Sequence, residues 1–149
     1  MTHLFRNSID HGIENTAERL HLSKNKNGTI GVHIEKNEEG DLFIKIADDG
    51  KGFNIRRIKS KAIENGLFKE DQLDKMSVEE ISNLVFLPNF STKENVSEIS
   101  GRGIGMDVVK TSLEKINGSI KVISEEGKGT EFIIKLKSSN NNIKTNSVS

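Results

Sequence analysis

The chain has no cysteine, which excludes a disulfide, a thiolate metal site and a thiol nucleophile. It also lacks tryptophan and tyrosine, and all seven aromatic residues are phenylalanine. Little is therefore available for stacking against single-stranded nucleic acid. Neither sign of charge is in excess, with 22 basic and 22 acidic side chains. No global field draws the chain toward nucleic acid or an anionic membrane surface. No apolar run is long enough to span a bilayer, and the N-terminus lacks the apolar centre of a signal peptide. The expected location is cytoplasmic, with no nucleic-acid or membrane partner.

The 149 residues are a third apolar and nearly a third charged, enough for one soluble domain with a core. "MTHLFRNSIDHGIE" reads as a helix ending near Gly12. A short helix is expected around Ala17 to Leu22. "TIGVHIEK" and "DLFIKIADD" alternate as strands, with Ile30, Val32 and Ile34 on one face of the first. Leu42, Ile44 and Ile46 do the same in the second, and "NEEG" makes a hairpin turn.

Asn54 caps a helix running to Asn65, with Ile55, Ile58 and Ala62 on one side and Gly66 at its stop. Ser77 and Glu80 form a capping box before "VEEISNLVF". Residues 87–103 lose periodicity, as a long functional loop does. A helix is expected over 104–117, with Val109, Leu113 and Ile116 as its apolar stripe and Gly118 ending it. "SIKVIS" and "TEFIIKL" are a closing strand pair. The order predicts a two-layer α/β sandwich, with a mostly antiparallel sheet and helices on one face. Residues 1–137 would form the domain and 138–149 a disordered tail.

Four stretches can carry chemistry. In the first helix His3, Asn7 and His11 stand four residues apart along one side, flanked by Arg6 and Asp10. An amide oxygen suits Mg²⁺, which takes the rest of its shell from water and substrate phosphates. A solvated polar face explains the same stripe, and a zinc site would need a further ligand. In "ADDGKG" a strand delivers Asp48, and Gly50 and Gly52 let the backbone turn closely. The carboxylate can accept from an exocyclic amine such as that of adenine. An ordinary Asp-Gly turn is the alternative.

In "SGRGIGMD" Gly101, Gly103 and Gly105 alternate with Arg102 and Ile104 just before a helix. Backbone N–H groups and the helix N-terminus there suit a phosphate; a flexible hinge is the other reading. Met106 takes the last glycine position of G-x-G-x-x-G, and Gly-Lys-Ser/Thr occurs nowhere. In "GKGTEF" the Thr130 hydroxyl could bond a base, or the stretch is only a hairpin turn.

Together and in this order, "HLFRNSIDHGIE", "DDGKGF", "FLPNFSTKENVSEISGRGIGMDVVK" and "GKGTEF" resemble the GHKL (Bergerat) ATP-binding fold. Histidine kinases, gyrase and MutL share that fold. "NFSTKE" followed by "SGRGIGMDVV" resembles the kinase domain of CheA-type chemotaxis histidine kinases, over roughly residues 2–137. The resemblance implies an ATP-dependent protein histidine kinase of two-component signalling, with ATP and Mg²⁺ as cofactors. The acceptor would be a histidine phosphotransfer domain in trans.

By the same resemblance, Asn7 would ligate Mg²⁺, and His3 would assist transfer. Asp10 and His11 would lie by the phosphates. Asp48 would hold the adenine amine, with Gly50 and Gly52 shaping that pocket and Thr130 closing it. Phe86 and Phe90 would flank a lid. Ser100, Gly101, Arg102, Gly103, Ile104, Gly105 and Met106 would be its phosphate end.

Three departures stand out. The family's strand and helical lead-in before this first helix are missing, so an N-terminally truncated domain is expected. Its phosphotransfer, dimerisation and coupling domains are missing too, so a monomer is expected. Asn89 stands where the family pattern "PGFST" has glycine. A non-catalytic nucleotide-binding remnant and a small GHKL serine kinase of anti-sigma type are the competing readings.

Overall fold

The computed structural model of the chain describes Leu4, Ile9, residues 12–88, Phe90 and residues 106–138. Its strands are β1 (Ile30–Lys36), β2 (Leu42–Asp48), β3 (Gly118–Glu125) and β4 (Gly129–Leu136). They form one sheet in the order β1-β2-β4-β3, and all three pairings are antiparallel. Both expected hairpins are present, and β4 is inserted beside β2 at the centre. The helices are α1 (Thr16–His21), α2 (Ile55–Glu64), α3 (Glu70–Asp74), α4 (Val78–Ser82) and α5 (Met106–Glu114). A 3-10 turn at Asn83–Phe86 extends α4.

Local chemistry explains the helix ends. Asn15 and Glu18 form a reciprocal capping box on α1. Asn54 accepts from the Arg57 N–H at 3.1 Å, and Ser77 accepts from the Glu80 N–H at 3.1 Å; each satisfies a donor the helix leaves open. Helix α3 was not anticipated from the sequence; its Leu73 is buried.

Strand register sorts the inner face of the sheet into four cross-strand rows. They are Lys36–Leu42–Leu136–Gly118, Ile34–Ile44–Ile134–Ile120, Val32–Ile46–Phe132–Val122 and Ile30–Asp48–Thr130–Ser124. Ile44, Ile46, Phe132, Ile134 and Val122 are buried there with Leu4 and Phe86. Val109 and Leu113 of α5 pack against them. Removing each large side chain from water contributes about 1.5–3 kcal/mol. Phe53 and Phe86 both meet Phe132 edge-on, with ring centroids 6.4 Å apart. A second cluster, Ile58, Ala62, Leu73, Ile81, Leu84 and Phe90, joins α2, α3 and α4.

Val32 and Ile34 share one face with Ile30, as expected, and remain 48% and 58% exposed, because they belong to the edge strand. One expectation is corrected. Ile116 is 61% exposed, because α5 ends at Glu114 and Asn117 takes a left-handed conformation at φ 57. The turn therefore carries Ile116 off the helical stripe. Gly118 opens β3 rather than merely stopping the helix. At the β3 edge, the Asn83 amide accepts from the Val122 N–H and donates to its carbonyl, at 3.0 and 3.1 Å. It thereby occupies backbone groups an edge strand leaves unpaired.

Candidate nucleotide-binding site

The fourth row is where the inner face turns polar. Asp48 pairs with Thr130 across β2 and β4, and Thr130 pairs with Ser124 across β4 and β3. Directly opposed residues stand side by side on one face. Thr130 and Ser124 are 7% and 8% exposed, so this row belongs to the interior. Their hydroxyls lie 2.9 Å apart. Ser124 Oγ accepts from the Phe53 N–H at 2.7 Å and lies 3.2 Å from the Gly129 carbonyl. Asp48 Oδ1 accepts from the Gly50 N–H at 2.9 Å, which orients the carboxylate at the strand end.

The loop after Asp48 is packed too closely for side chains. A Cβ on Gly50 would strike the Gly12 carbonyl. Gly52 has φ +69, and a Cβ there would strike the Glu125 carbonyl. Both positions therefore exclude a side chain beside Asp48. The Lys51 N–H donates to Gly12 at 2.8 Å, and the Gly127 N–H donates to Lys51 at 2.7 Å. The loop is thus tied to the first segment of the chain and to the β3–β4 turn at once.

Behind it lies an ionic cluster that sequence reasoning missed. Arg19 is almost fully buried and pairs with Glu14 at 3.3 Å and Asp49 at 2.8 Å. It also donates to the Asn25 carbonyl at 2.6 Å. Lys24 Nζ donates to Glu14 at 2.6 Å and to the Asp49 and Gly50 carbonyls at 3.0 and 2.9 Å. Burial alone would raise the Glu14 pKa. The Lys24 hydrogen bond, with the Lys24 and Arg19 charges, outweighs it and holds the carboxyl below its ordinary value. Asp49 behaves alike: burial raises it, but the Thr29 N–H and Arg19 bring it below its ordinary value. A polar "ENTAERLHLSK" gives no hint that one arginine is interior.

Phe86 and Phe90 are 3% and 5% exposed. Phe86 is in the sheet core and Phe90 is in the helical cluster, so they anchor both sides of Pro88. Met106 begins α5 and packs against the sheet core. His3, Asn7, Asp10, His11, Ser100, Gly101, Arg102, Gly103, Ile104 and Gly105 lie outside the described residues. Among the described residues, no group of three His, Asp or Glu could hold a metal ion, and no helix is long and apolar enough to cross a membrane.

Ser124 was also missed, although a signal was available. The strand period that places Val122 inward places Ser124 inward too, just as Phe132 implies Thr130 and Ile46 implies Asp48. The three polar residues fall at the same phase of three adjacent strands. The arrangement sets a carboxylate acceptor beside a hydroxyl at the end of an apolar floor. It suits the edge of a flat heterocycle.

Residues 1–140 match the family described as histidine kinase-, DNA gyrase B-, and HSP90-like ATPase. The chain is 48% identical over 136 residues to the sensor histidine kinase CheAY of Helicobacter pylori, covering 91% of this chain and 17% of that protein. It is 43% identical to the chemotaxis protein CheA of Bacillus subtilis, covering 91% of this chain and 20% of that one. For the chemotaxis protein CheA of Borreliella burgdorferi the identity is 49%, covering 91% and 15%. The chain spans a fifth or less of the length of these relatives.

Proposed function

The chain belongs to the histidine kinase-, DNA gyrase B- and HSP90-like ATPases as an ATP-binding kinase domain of CheA type, and we propose that it binds Mg²⁺–ATP and phosphorylates a histidine on a separate phosphotransfer domain. The observation that carries this reading is the polar fourth row. Asp48 accepts from the 6-amino group of adenine, and the Thr130 hydroxyl meets the neighbouring ring nitrogen directly or through one water. The loop bearing Gly50 and Gly52 walls the base, and the apolar third row floors it.

Asn7 would hold the Mg²⁺, which when bound would supply charge neutralisation at the phosphates. In this reading Asp10 and His11 would serve the phosphates, His3 would assist transfer, and the stretch from Ser100 to Met106 would bind the phosphate end. An imidazole nitrogen of the acceptor forms the new N–P bond as the bond to the β–γ bridging oxygen breaks and ADP leaves. The domain's own contribution is position and charge stabilisation, which is most of what phosphoryl transfer needs.

Titration with a fluorescent ATP analogue tests the binding half, since a chain without Trp or Tyr has little intrinsic signal. Saturable binding that Mg²⁺ strengthens and ATP displaces is expected. Incubation with labelled ATP and a phosphotransfer domain tests the transfer half. An acid-labile label on that domain is expected. An acid-stable label on a protein acceptor would instead indicate a serine kinase, and binding without transfer a non-catalytic domain.

A further inference from the structure

We infer that Ser124 is a positioning residue that turns the hydroxyl proton of Thr130 toward the bound base, and so makes the pocket select a donor–acceptor edge. The inference rests on the nucleotide-binding reading above and deepens it.

Ser124 Oγ accepts the Phe53 N–H at 2.7 Å, which fixes one lone pair. Its single proton has two acceptors in reach, the Gly129 carbonyl at 3.2 Å and Thr130 Oγ1 at 2.9 Å. Only the second distance falls within the usual range of O–H···O bonds, about 2.5–3.0 Å. If the proton went to Gly129, Thr130 would donate to Ser124 and turn lone pairs to the pocket. Two acceptors, Asp48 and Thr130, would then stand side by side and would suit an edge carrying two donors. With the proton on the Ser124–Thr130 bond, the Thr130 proton is released to the pocket. A donor then stands beside the Asp48 acceptor. That pattern matches an amine next to an unprotonated ring nitrogen, as on adenine C6 and N1.

Position supports the same assignment. The three residues occupy one cross-strand row. Ser124 and Thr130 are buried, so water competes little for their protons. The Phe53 amide that fixes Ser124 follows Gly52 directly, so the loop that walls the base also orients the hydroxyl behind it.

The test compares the affinities of ATP, 1-deaza-ATP and 7-deaza-ATP. The first analogue lacks the N1 acceptor, and the second keeps it. The parent chain should bind 1-deaza-ATP about threefold to tenfold more weakly than ATP, the worth of one neutral hydrogen bond, and 7-deaza-ATP about as well as ATP. Thr130→Val should reduce the 1-deaza discrimination to less than about twofold, and Ser124→Ala, which leaves the Thr130 hydroxyl free to rotate, should reduce it in part. The double variant should lose no more than Thr130→Val alone, and Ser124→Thr should restore the discrimination. If Ser124→Ala does not fold, Ser124→Cys fills the space with a poor donor and acceptor and should show the same loss.

A merely structural role would weaken all three nucleotides together and leave the ratio intact; that result overturns the inference. So does a parent that binds ATP but shows no preference over 1-deaza-ATP, and in that case the nucleotide-binding reading stands. A folded parent that binds none of the three defeats the nucleotide-binding reading, and the inference falls with it.

Discussion

Val122, Phe132 and Ile46 sit one step along their strands from Ser124, Thr130 and Asp48, on the same face of the same sheet. The first three are among the most buried of the described side chains, and they stabilise the fold by leaving water. The second three are held by specific partners, and among the described residues no buried side-chain nitrogen or oxygen lacks one. An apolar row needs only volume and neighbours, whereas a polar row needs each donor matched to an acceptor. The ionic cluster of Glu14, Arg19 and Lys24 extends that matched region beneath the loop that follows Asp48. Stability and recognition thus meet along one line of the sheet.

The largest effect is expected where the matched region is broken from behind. Arg19→Ala leaves Glu14 buried beside Lys24 alone and should destabilise the fold by about 3–5 kcal/mol, read from denaturant titration. Acid attacks the same cluster. Glu14 and Asp49 have folded pKa values below their ordinary ones. Their contribution is therefore complete above the ordinary carboxylate range and is lost as pH falls through that range and then through the lowered folded values. The melting temperature should decline over that acid interval, and Glu14→Gln should flatten the decline.

On the apolar side, Ile46→Ala should cost about 2–5 kcal/mol, since it removes a buried side chain and leaves a cavity. Asp48→Ala should sharpen the contrast from the polar side. Nucleotide affinity should fall by roughly one to two decades, the worth of about 1.5–3 kcal/mol for a hydrogen bond to a charged group. Unfolding should change far less than in Ile46→Ala. Unaltered affinity would remove Asp48 from the site. The smallest change is expected for Val32→Ala. Val32 shares a row with Ile46 but is 48% exposed, so a shift within about 0.5 kcal/mol is expected. A cost equal to that of Ile46→Ala would mean the edge strand is covered in solution.

Much of this fold is legible in the residues themselves. Apolar residues at every second position (Val32 and Ile34, Ile44 and Ile46, Ile120 and Val122, Phe132 and Ile134) give the strands, and Asn54 and Ser77 announce their helices. The Asn15–Glu18 box was equally readable, and it begins α1 one residue before the expected Ala17. Helix α3 was not legible, because five residues of "EDQLD" carry one apolar side chain and no period. Its existence depends on Leu73 finding the helical cluster. The end of α5 was misjudged because Ile116 continues the helical spacing, while the Asn117 turn, set by where β3 must begin, takes it out of phase.

The sequence by itself determined which residues share a face along the strands and along α2, since those periods follow from backbone geometry. It also contained Asp48, Thr130 and the glycines beside them. Only the tertiary structure decided that β4 enters between β2 and β3, and this insertion aligns Asp48, Thr130 and Ser124 in a single row. Only it decided that Arg19 is interior and Val32 exposed. Those outcomes depend on pairings between segments up to about a hundred residues apart, which no local period encodes.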